Sequence, residues 1–387
     1  MDTRIYFDNN ATTPIAPEVL EAMLPYYTRD FGNPSSVHWF GQQAKKALDQ
    51  AREQVSALIG AEPNEIVFVG SGTESDNLAL QGIVLASPRP VKHLITSNIE
   101  HHAILHTSKA LEKNGVRATY VGANSRGLIN PDEIEAAITP ETILISIMLA
   151  NNETGTLQPL SEIGKIARHH DICFHTDAVQ AVGKIPVNVE NLCLDLLSIS
   201  GHKIHAPKGV GALYVRKGTR LSPIIHGGGH ERSRRAGTEN IPQIAGLGKA
   251  CEMAGILLEQ TSQSIRQLRD YFETEVLRRI PEVEMNGDAE KRLPNTSNLR
   301  FTEVEGEGML INLDLAGIAC STGSACTSGS IDPSHVLSAM GIPREKAFGS
   351  IRFSFSRYNT LEEVDHALNL LPGIVERMQA LSPFRKK

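Results

Sequence analysis

The sequence has little of what marks membrane-spanning or secreted proteins. No apolar run approaches the ~20 residues that a membrane-spanning helix requires, and the longest candidate, Ile143 to Ala150, contains Ser146. The first five residues, Met-Asp-Thr-Arg-Ile, contain no apolar core of the kind that a secretory signal has. The sequence therefore predicts neither a membrane anchor nor a secretory signal, and it favours a cytoplasmic protein.

Cysteine is also scarce, and its spacing argues against two common roles. The five cysteines are Cys173, Cys193, Cys251, Cys320 and Cys326. An odd number, wide spacing and the lack of a Cys-x-x-Cys pair argue against a disulfide framework and against a zinc ribbon. Most of the cysteines, Cys320 among them, are expected to stay reduced and to pack as small hydrophobic residues.

Cys326 differs from the other cysteines because of its surroundings. It lies in residues 321–330, Ser-Thr-Gly-Ser-Ala-Cys-Thr-Ser-Gly-Ser, which are all small. A segment without a large apolar side chain has nothing to anchor it in a core. We therefore expect a flexible, exposed loop over about residues 321–332.

The charge balance argues against two classes of partner. The chain has 38 Lys and Arg against 44 Asp and Glu, so its formal net charge is −6. This balance argues against a surface that wraps nucleic acid or binds an anionic membrane, although a local basic pocket for a small anion remains open. Hydrophobic residues make up 41% and charged residues 21% of the 387 residues, which is typical of a globular protein with two or three domains.

Strand-like and helix-like segments alternate over the first two thirds of the chain. The predicted strands are residues 66–69, 92–96, 117–121, 142–149, 172–175, 196–199 and 211–215, with helices at 74–85, 101–113 and 160–170. This alternation predicts an α/β fold with a mostly parallel sheet and helices on both faces. After about residue 260 the pattern changes to helix 262–279, strand 296–301, helix 308–316, strand 351–355 and helix 361–380. That part predicts a smaller α+β domain.

A glycine-containing turn follows the first of these strands. Residues 70–75, Gly-Ser-Gly-Thr-Glu-Ser, stand between a predicted strand and a predicted helix. The turn lacks the third glycine of a dinucleotide fingerprint and the Gly-Lys-Ser/Thr of a P-loop. It is either an ordinary N-capped turn or a site for one phosphate group, which backbone N–H groups and the helix N-terminus would bind.

Two charged residues stand just past other strands. Lys203, in Ser-Gly-His-Lys, follows the strand that ends at Ile199, and Asp177 ends an apolar strand. Ligands of open α/β sheets bind beyond the carboxyl ends of strands. Lys203 is either a surface lysine or an amine that forms a Schiff base with an aldehyde. Asp177 is either a helix cap or salt-bridge partner, or the partner of a protonated pyridine nitrogen.

Histidines occur in two further motifs. Residues 226–232, His-Gly-Gly-Gly-His-Glu-Arg, contain two histidines and a glutamate, which are possible metal ligands. A helical zinc motif is not expected here, because three consecutive glycines disfavour a helix. A glycine-rich loop that binds an anion or contacts another subunit fits this segment and the following Arg235–Thr238 better. His101, which follows a strand, could stack on a planar ring.

In combination, the motifs described above indicate a ligand more specifically than any one motif does. A phosphate-binding turn, an acid and a Schiff-base lysine at successive strand ends indicate a pyridoxal phosphate (PLP) site of the aspartate-aminotransferase type, PLP fold type I. The sequence also resembles the NifS/IscS-type cysteine desulfurases of the class V aminotransferase superfamily almost from end to end. The motifs that carry the resemblance are Tyr6–Pro14, Gly32–Ser36, Ser71–Ser75, Glu100–Ala103, Asn151–Gly155, Asp177–Gln180, Ser200–Lys203, the loop from His226, Gly323–Cys326 and Ile351–Ser354. The long loop with Cys326 resembles that of the group I members.

The resemblance implies a role for each matching residue. Lys203 is expected to carry PLP as a Schiff base, Asp177 to pair with the ring nitrogen and Gln180 to bond the ring hydroxyl. His101 is expected to stack on the ring and handle protons. The other implied cofactor contacts are Gly72, Thr73, Asn152, Ser200 and His202, with Thr238 reaching the phosphate from the second subunit of a homodimer. The implied substrate contacts are Asn33, Asn152 and Arg352, whose planar guanidinium suits a carboxylate.

The resemblance also implies the reaction. L-cysteine would be converted to L-alanine, with Cys326, Lys203 and His101 as the catalytic residues. Cys326 would take the sulfur as a persulfide and pass it to an acceptor protein such as an iron–sulfur scaffold. No resident metal is required, although Cys326 could transiently ligate a cluster shared with that scaffold. A selenocysteine lyase, a class V aminotransferase and a non-catalytic sulfur-relay scaffold remain as alternatives.

The family pattern implies domain boundaries and shows one departure. A large PLP-binding domain is expected over residues 14–260, and a small domain from residues 1–13 plus 261–387. Ser356 stands where the family usually has glycine, and a positive φ would be difficult for serine.

Overall fold

The computed structural model describes residues 4–322 and 333–382 of the chain. Its strands are β1 (Ile5–Tyr6), β2 (Ile66–Val69), β3 (His93–Ser97), β4 (Arg117–Val121), β5 (Thr142–Ser146), β6 (Cys173–Asp177), β7 (Leu196–Ser200), β8 (Gly211–Val215), β9 (Val283–Met285), β10 (Thr296–Phe301), β11 (Ile318–Ala319) and β12 (Ser350–Ser354). Its α-helices are α1 (Pro17–Met23), α2 (Pro25–Thr28), α3 (Trp39–Ile59), α4 (Gly72–Ala86), α5 (His102–Lys113), α6 (Pro131–Ala136), α7 (Leu160–His169), α8 (Ile241–Arg279), α9 (Gly306–Leu315), α10 (His335–Ala339), α11 (Arg344–Ala347) and α12 (Leu361–Leu381). Short 3₁₀ segments occur at Pro63–Glu65, Gly201–Lys203 and His230–Ser233.

The central sheet has seven strands in the order β2-β8-β7-β6-β5-β3-β4. Strands β3 to β7 pair in parallel, whereas β8 is antiparallel to both of its neighbours, β7 and β2. Every residue of β3, β7 and β8 is buried, as expected for strands covered on both faces. The predicted α/β fold with a mostly parallel sheet is confirmed.

Helices cover both faces of this sheet with separate apolar clusters. On one face, Val55 of α3, Ile163 of α7 and Leu247 of α8 belong to the larger cluster. On the other face, Leu80 of α4 and Ile104 of α5 belong to a second cluster. The carboxyl ends of β6 and β7 lie side by side between these layers, because the two strands are parallel neighbours.

A third apolar cluster joins the two ends of the chain. Strands β12, β10 and β9 form a separate antiparallel sheet. The ring of Phe7 packs 4.8 Å from that of Phe355, and Phe272 of α8 packs 4.8 Å from Phe353. The residues after 260 therefore build an α+β unit that also includes the N-terminal strand. The boundaries at residues 13 and 260 stay a prediction.

Helix α8 begins 21 residues before the predicted helix 262–279. Its first half contains three glycines, which weaken a helical pattern in the sequence. Two of them are required by close packing: a Cβ on Gly248 would lie 2.6 Å from Cα of Ala51, and one on Gly246 would lie 2.8 Å from Sδ of Met23. Tertiary contacts with α3 and α1 therefore outweigh the low helix propensity of glycine here.

Within residues 4–322 and 333–382, no helix is both long enough and apolar enough to cross a lipid bilayer.

Candidate active site

A cavity of about 280 Å³ opens at the carboxyl ends of β6 and β7. Ten of the residues predicted from the sequence line it together: Gly72, Thr73, His101, Asn152, Asp177, Gln180, Ser200, His202, Lys203 and Arg352. They come from the start of α4, the start of α5, the turn after β5, the ends of β6 and β7 with the segments that follow them, and β12. Residues distant in sequence thus converge where an open α/β sheet binds its ligands.

The turn before α4 forms one wall of the cavity. Ser71 caps the helix, since its hydroxyl accepts a hydrogen bond of 3.0 Å from the Glu74 amide. A Cβ on Gly72 would lie 3.0 Å from Cγ2 of Val179 and 3.1 Å from Cβ of Ser200. A larger residue at position 72 would push against these neighbours and narrow the space at the helix N-terminus. The positive end of a 15-residue helix therefore faces this part of the cavity.

Asp177 provides a buried acid at the base of the cavity, which we call the floor. Its Oδ1 accepts a hydrogen bond of 2.9 Å from the Val179 amide. Burial raises the pKa of Asp177 to about 6, against the lowering effects of that hydrogen bond and of Lys203. A cationic group bound next to Asp177 would hold the carboxyl in its charged form.

Lys203 follows β7 through the 3₁₀ turn Gly201–Lys203. Its Nζ donates to the backbone oxygens of Asn10 at 2.6 Å and Ala11 at 2.8 Å. The neighbouring His202 places Nδ1 3.2 Å from Oγ1 of Thr12. The N-terminal segment thus holds the lysine end of the site, and the surface-lysine alternative is wrong because Lys203 lines the cavity.

His101 is the N-cap of α5 and lines the same cavity. Its Nδ1 accepts a hydrogen bond of 3.1 Å from the Ala103 amide. A neutral imidazole with Nδ1 as acceptor carries its hydrogen on Nε2. Burial, together with the charges of Lys203 and nearby histidines, lowers the pKa of His101 to about 4. The ring is therefore neutral at pH 7.

Arg352 of β12 is buried at the inner wall, with 2% of its surface exposed. Its Nη2 donates to Oδ1 of Asp8 at 2.8 Å, and its Nη1 donates to the backbone oxygen of Asn152 at 2.8 Å. The backbone of Arg352 also pairs with Ser321, with N···O distances of 2.6 and 3.2 Å. Arg352 is thus not the surface arginine that its isolated sequence context allows.

Gln180 connects the floor to residues that the sequence interpretation missed. Its Nε2 donates to the backbone oxygen of Asn10 at 2.9 Å, and its Oε1 accepts from Nζ of Lys184 at 2.7 Å. Burial lowers the pKa of Lys184 well below its ordinary value, and the charges of Lys203 and Arg352 act in the same direction. Asn10 belongs to the N-terminal motif quoted above, and Lys184 follows Gln180 by one helical turn, so a signal for both was present.

Two of the predicted residues that the structure describes, Asn33 and Thr238, do not line the cavity of their own chain. Asn33 is exposed, and its Oδ1 accepts a hydrogen bond of 2.9 Å from the Ser35 amide. Thr238 is also exposed, in the segment that follows His230–Ser233. Cys326 lies outside the described residues. The roles given to these three residues stay predictions.

The glycine-rich loop is anchored by two ion pairs that were not anticipated. Glu231 accepts two hydrogen bonds from Arg52, at 2.7 and 2.9 Å, and both side chains are buried. Arg235 pairs with Glu74 of the cavity turn at 2.8 Å. Both carboxylate oxygens of Glu231 are engaged by Arg52. Among residues 4–322 and 333–382, no cluster of three His, Cys, Asp or Glu side chains forms a metal site.

Two smaller expectations are settled by the structure. Ser356 does not adopt a positive φ, so serine is tolerated at that position. Its amide donates to Oδ1 of Asn359 at 2.8 Å. Cys320 packs against the third apolar cluster, and burial raises the pKa of its thiol.

The chain is similar in sequence to a known protein family and to named relatives. The Aminotransferase class-V family matches residues 5–367. The chain is 54% identical over 381 residues to the cysteine desulfurase of Nostoc sp. (strain PCC 7120), covering 98% of this chain and 95% of the relative. It is 50% identical over 387 residues to the cysteine desulfurase IscS of Dictyoglomus turgidum, covering 100% and 98% of the two chains.

Solved structures agree with this result. A NifS-like protein superposes with a TM-score of 0.91 and 39% identity, covering 97% of this chain and 100% of its own. A structure described as SspA in complex with cysteine gives a TM-score of 0.82 and 39% identity, covering 92% of this chain and 100% of its own. The chain is therefore an enzyme of the class V aminotransferase family. Within that family it belongs with the cysteine desulfurases of the NifS and IscS type, which are generally PLP-dependent.

Proposed function

We propose that this chain is a PLP-dependent cysteine desulfurase that converts L-cysteine to L-alanine and captures the sulfur as a persulfide on Cys326. The observation that carries the proposal is the convergence of Lys203, Asp177 and the N-terminus of α4 on one cavity. Cysteine desulfurases at about 50% identity over nearly the whole chain support the choice of reaction. A place in the cytoplasm stays a prediction from the sequence.

The residues of the cavity fit PLP. The phosphate suits Gly72, Thr73, Ser200 and His202 beside the positive end of α4, since a small anion binds there. The buried carboxyl of Asp177 suits a protonated pyridine nitrogen, which would hold it ionised.

The remaining cofactor contacts also fit. The neutral ring of His101 suits stacking on the cofactor, and Gln180 suits its ring hydroxyl. Lys203 supplies the amine for a Schiff base.

Each residue of the chain then has a task. When bound, PLP draws electrons from the α-carbon of an attached amino acid. Lys203 would be the base that takes the α-proton, because its amine lines the same cavity as Arg352 and Asn152. Arg352 and Asn152 bind the substrate carboxylate.

His101 is neutral at pH 7 in the resting geometry. It can take a proton on Nδ1 only by giving up its hydrogen bond to the Ala103 amide. The substrate itself is therefore a better acceptor of the thiol proton than His101 in the resting geometry.

Cys326 completes the reaction by nucleophilic attack on the substrate sulfur. The new S–S bond forms as the substrate C–S bond breaks, and a proton replaces sulfur on the β-carbon, so cysteine and a thiol become alanine and a persulfide. Cys326 follows Ser321, which pairs with the backbone of Arg352, by five positions. His335, nine positions later, lines the cavity. Ser321 and His335, which lie before and after Cys326 in the sequence, are thus both close to the cavity. Their positions support access of Cys326 to the substrate.

We also propose a homodimer, with Thr238 reaching the phosphate of the second subunit. Thr238 is exposed on a segment whose base is fixed by the Arg52–Glu231 pair. Large apolar side chains near the start of α3 are exposed as well, with Phe31 at 64%, Val37 at 90% and Trp39 at 57%. An exposed aromatic patch of this kind is typical of a contact surface.

The sulfur acceptor is proposed to be a protein such as an iron–sulfur scaffold, and the chain's surface charge favours neither nucleic acid nor membrane as a partner. The relative from Dictyoglomus turgidum carries the name IscS. Persulfide transfer requires only that a thiol of the acceptor attack the outer sulfur of Cys326.

Two variants test the proposal. Lys203→Ala is expected to abolish the visible absorbance of the purified protein with PLP and to reduce alanine formation by more than about 10³-fold, since base and anchor are lost together. Cys326→Ala is expected to retain that absorbance and to lose the persulfide, measured as a 32-dalton mass increase on a tryptic peptide after incubation with L-cysteine.

The same variants distinguish the alternative functions. Undiminished alanine and sulfide production by Cys326→Ala under dithiothreitol would show that the persulfide role is wrong and favour another PLP reaction. Turnover of selenocysteine far above that of cysteine would favour a selenocysteine lyase. Full sulfur transfer by Lys203→Ala supplied with a small-molecule persulfide, whose outer sulfur passes to Cys326 as its thiol leaves, would favour a non-catalytic relay.

A further inference from the structure

A row of buried polar side chains runs beneath α4, directly behind the floor of the cavity. It consists of Ser146 on β5, His175 on β6, Ser198 on β7 and Asp76 on α4. All four are between 0% and 1% exposed. Polar groups at such depth are kept only when they are hydrogen-bonded, so the row calls for a physical explanation.

The strand register places this row next to Asp177. His175 and Asp177 are two residues apart on β6 and therefore share one face of the sheet. In the sheet His175 lies opposite Ser146, and Asp177 lies opposite Ser198. Helix α4, which carries Asp76, packs over β7 and β8 on this face. Asp76 also lines the cavity.

His175 links the two serines of the row. Nδ1 of His175 lies 2.8 Å from Oγ of Ser146, and Nε2 lies 3.1 Å from Oγ of Ser198. Ser198 also acts on the Asp76 carboxyl, whose pKa it lowers. Oδ1 of Asp76 lies 3.8 Å from Nε2 of His175 and has no hydrogen-bond partner among the described residues.

The charges around Asp76 oppose its ionisation. Burial raises the pKa of Asp76 well above its ordinary value, and the negative charge of Asp177 raises it further. His175 offers no compensating charge, because burial lowers its pKa to about 3. Two carboxylates that share a dry site cannot both ionise easily.

We propose that Asp76 is a positioning residue that remains protonated behind Asp177, so that Asp177 carries the single negative charge at the floor of the cavity. This inference rests on the proposed function, in which Asp177 holds the charged nitrogen of PLP. Lys203 lowers the pKa of Asp177, whereas no cation acts in this way on Asp76 among the described residues. The proton of the pair therefore stays on Asp76.

A neutral Asp76 has two effects on Asp177. It adds no second charge that would repel the ionised carboxylate, and its hydroxyl can donate a hydrogen bond where a carboxylate could only accept. Loss of Asp76 alone would leave a void under the floor. Its replacement by the neutral, equally shaped Asn is therefore expected to be mild, whereas replacement by Ala is not.

The proton on Asp76 can be measured without any cofactor. Infrared difference spectra in D₂O between the wild type and Asp76→Asn at pH 7 are expected to show the carbonyl band of a buried protonated carboxylic acid, present only in the wild type. The exposed Asp49→Asn is the matched control and is expected to show no such band. A wild type without the band, or with the carboxylate band of Asp76 in its place, overturns the proposal.

A second variant keeps the proposal testable if Asp76→Asn folds poorly. In Asp177→Asn the neighbouring carboxylate is gone, so the carbonyl band assigned to Asp76 is expected to disappear at a lower pH than in the wild type. An unchanged titration of the band contradicts the coupling between the two residues.

The loaded enzyme provides a readout that a purely structural role would not move. Asp76→Asn is expected to keep the affinity for PLP and the pH titration of its visible absorbance within about threefold and half a pH unit of the wild type, whereas Asp76→Ala weakens PLP binding more than tenfold. An Asp76→Asn variant that behaves like Asp177→Asn contradicts a neutral Asp76. Failure of all variants to bind PLP would instead contradict the proposed function and leave the infrared result standing.

Discussion

The guanidinium of Arg352 donates to the carboxylate of Asp8 over 2.8 Å, which links the N-terminal segment to β12 across 344 positions of sequence. The pair closes the inner wall of the cavity and fixes the plane of the guanidinium. Arg352 therefore meets a substrate carboxylate in one orientation, with its charge already partly balanced by Asp8.

Replacing Arg352 with Met is expected to raise KM for L-cysteine by about 10–100-fold, since a charge-assisted hydrogen bond to the carboxylate contributes about 1.5–3 kcal/mol. The same substitution leaves Asp8 without its partner and is expected to lower the free energy of unfolding. Steady-state kinetics and urea unfolding measure the two effects separately.

The double variant Arg352→Met with Asp8→Asn separates substrate binding from stability. Replacing the unpaired Asp8 carboxylate is expected to recover part of the free energy of unfolding. KM is expected to stay as high as in Arg352→Met. A double variant that regains wild-type KM would show that Arg352 does not bind the substrate.

The buried pair of Arg52 and Glu231 is expected to stabilise the fold through the loop that carries Thr238. Arg52→Met leaves the buried Glu231 carboxylate without its ion-pair partner. It is therefore expected to lower the free energy of unfolding by about 3–5 kcal/mol. Adding Glu231→Gln removes the stranded charge and should recover part of that loss. Urea unfolding monitored by circular dichroism provides the measurement.

A second ion pair on the same helix is the natural control. Lys45 and Asp49 of α3 pair at the surface, with side chains 51% and 49% exposed. Lys45→Met is expected to change the free energy of unfolding by less than about 1 kcal/mol. Equal losses for Lys45→Met and Arg52→Met would refute the importance of burial.

Glu100 is expected to make stability depend on pH. Its carboxylate accepts the Met148 amide at 3.0 and 3.1 Å and the Ser97 hydroxyl at 2.5 Å, yet burial raises its pKa from 4.5 to about 8. The folded protein keeps this proton up to about pH 8, whereas the unfolded chain releases it near pH 4.5. The contribution of Glu100 to stability is therefore present below pH 4.5 and is lost as the pH rises through 8.

Glu100→Gln cannot ionise and is expected to remove this loss. The melting temperature of Glu100→Gln relative to the wild type should rise by several degrees between pH 5 and pH 8.5, measured by calorimetry. The exposed Glu259→Gln on α8 serves as control and should give a constant difference. A Glu100→Gln difference that is also constant would mean that Glu100 ionises as readily in the fold as in the unfolded chain.

The His101 side chain both caps helix α5 and provides an aromatic ring in the cavity. One substitution can remove the ring and keep the cap. Asparagine is a good N-cap, so His101→Asn is expected to keep α5 and to change the melting temperature little. Loss of the ring removes the surface that stacks on the cofactor and is expected to reduce kcat/KM for L-cysteine by about 2–10-fold, since an aromatic pair contributes about 0.5–1.5 kcal/mol.

The pH profile of the wild type provides a further check on His101. Because burial lowers its pKa to about 4, the ring is neutral above that pH and charges only as the pH falls through 4. Between pH 6 and pH 8, kcat/KM should show no step from this residue. A step near pH 6.5 that His101→Asn removes would contradict the neutral ring.

Much of the site follows from local sequence. Lys203 and Asp177 each stand just after a β-rich apolar run, and parallel strands bring such positions to one edge of a sheet. The turn before α4 carries its own cap and glycine, so its geometry depends on residues within five positions. These local patterns predict an α/β fold and single out Lys203, Asp177 and the turn as candidates, whereas the roles of the other cavity residues came from the family resemblance.

The sequence interpretation was less successful where a contact joins distant segments. It did not anticipate that Arg52 pairs with Glu231, or that Asp76 lies behind Asp177, since neither pair shares a local pattern. It placed the start of α8 too late because the glycines that allow close packing with α3 and α1 also weaken the helical signal.

The amino-acid sequence by itself determined the alternation of strands and helices from residue 66 onward, the family, and the lysine, acid and glycine turn of the site, because hydrophobic periodicity and short motifs act over a few residues. Only the tertiary structure decided which charges are buried together and which are exposed. Burial and neighbouring charge set the protonation of Asp76, Glu100, His101 and Lys184, and both quantities arise from chain segments that meet only when the protein folds.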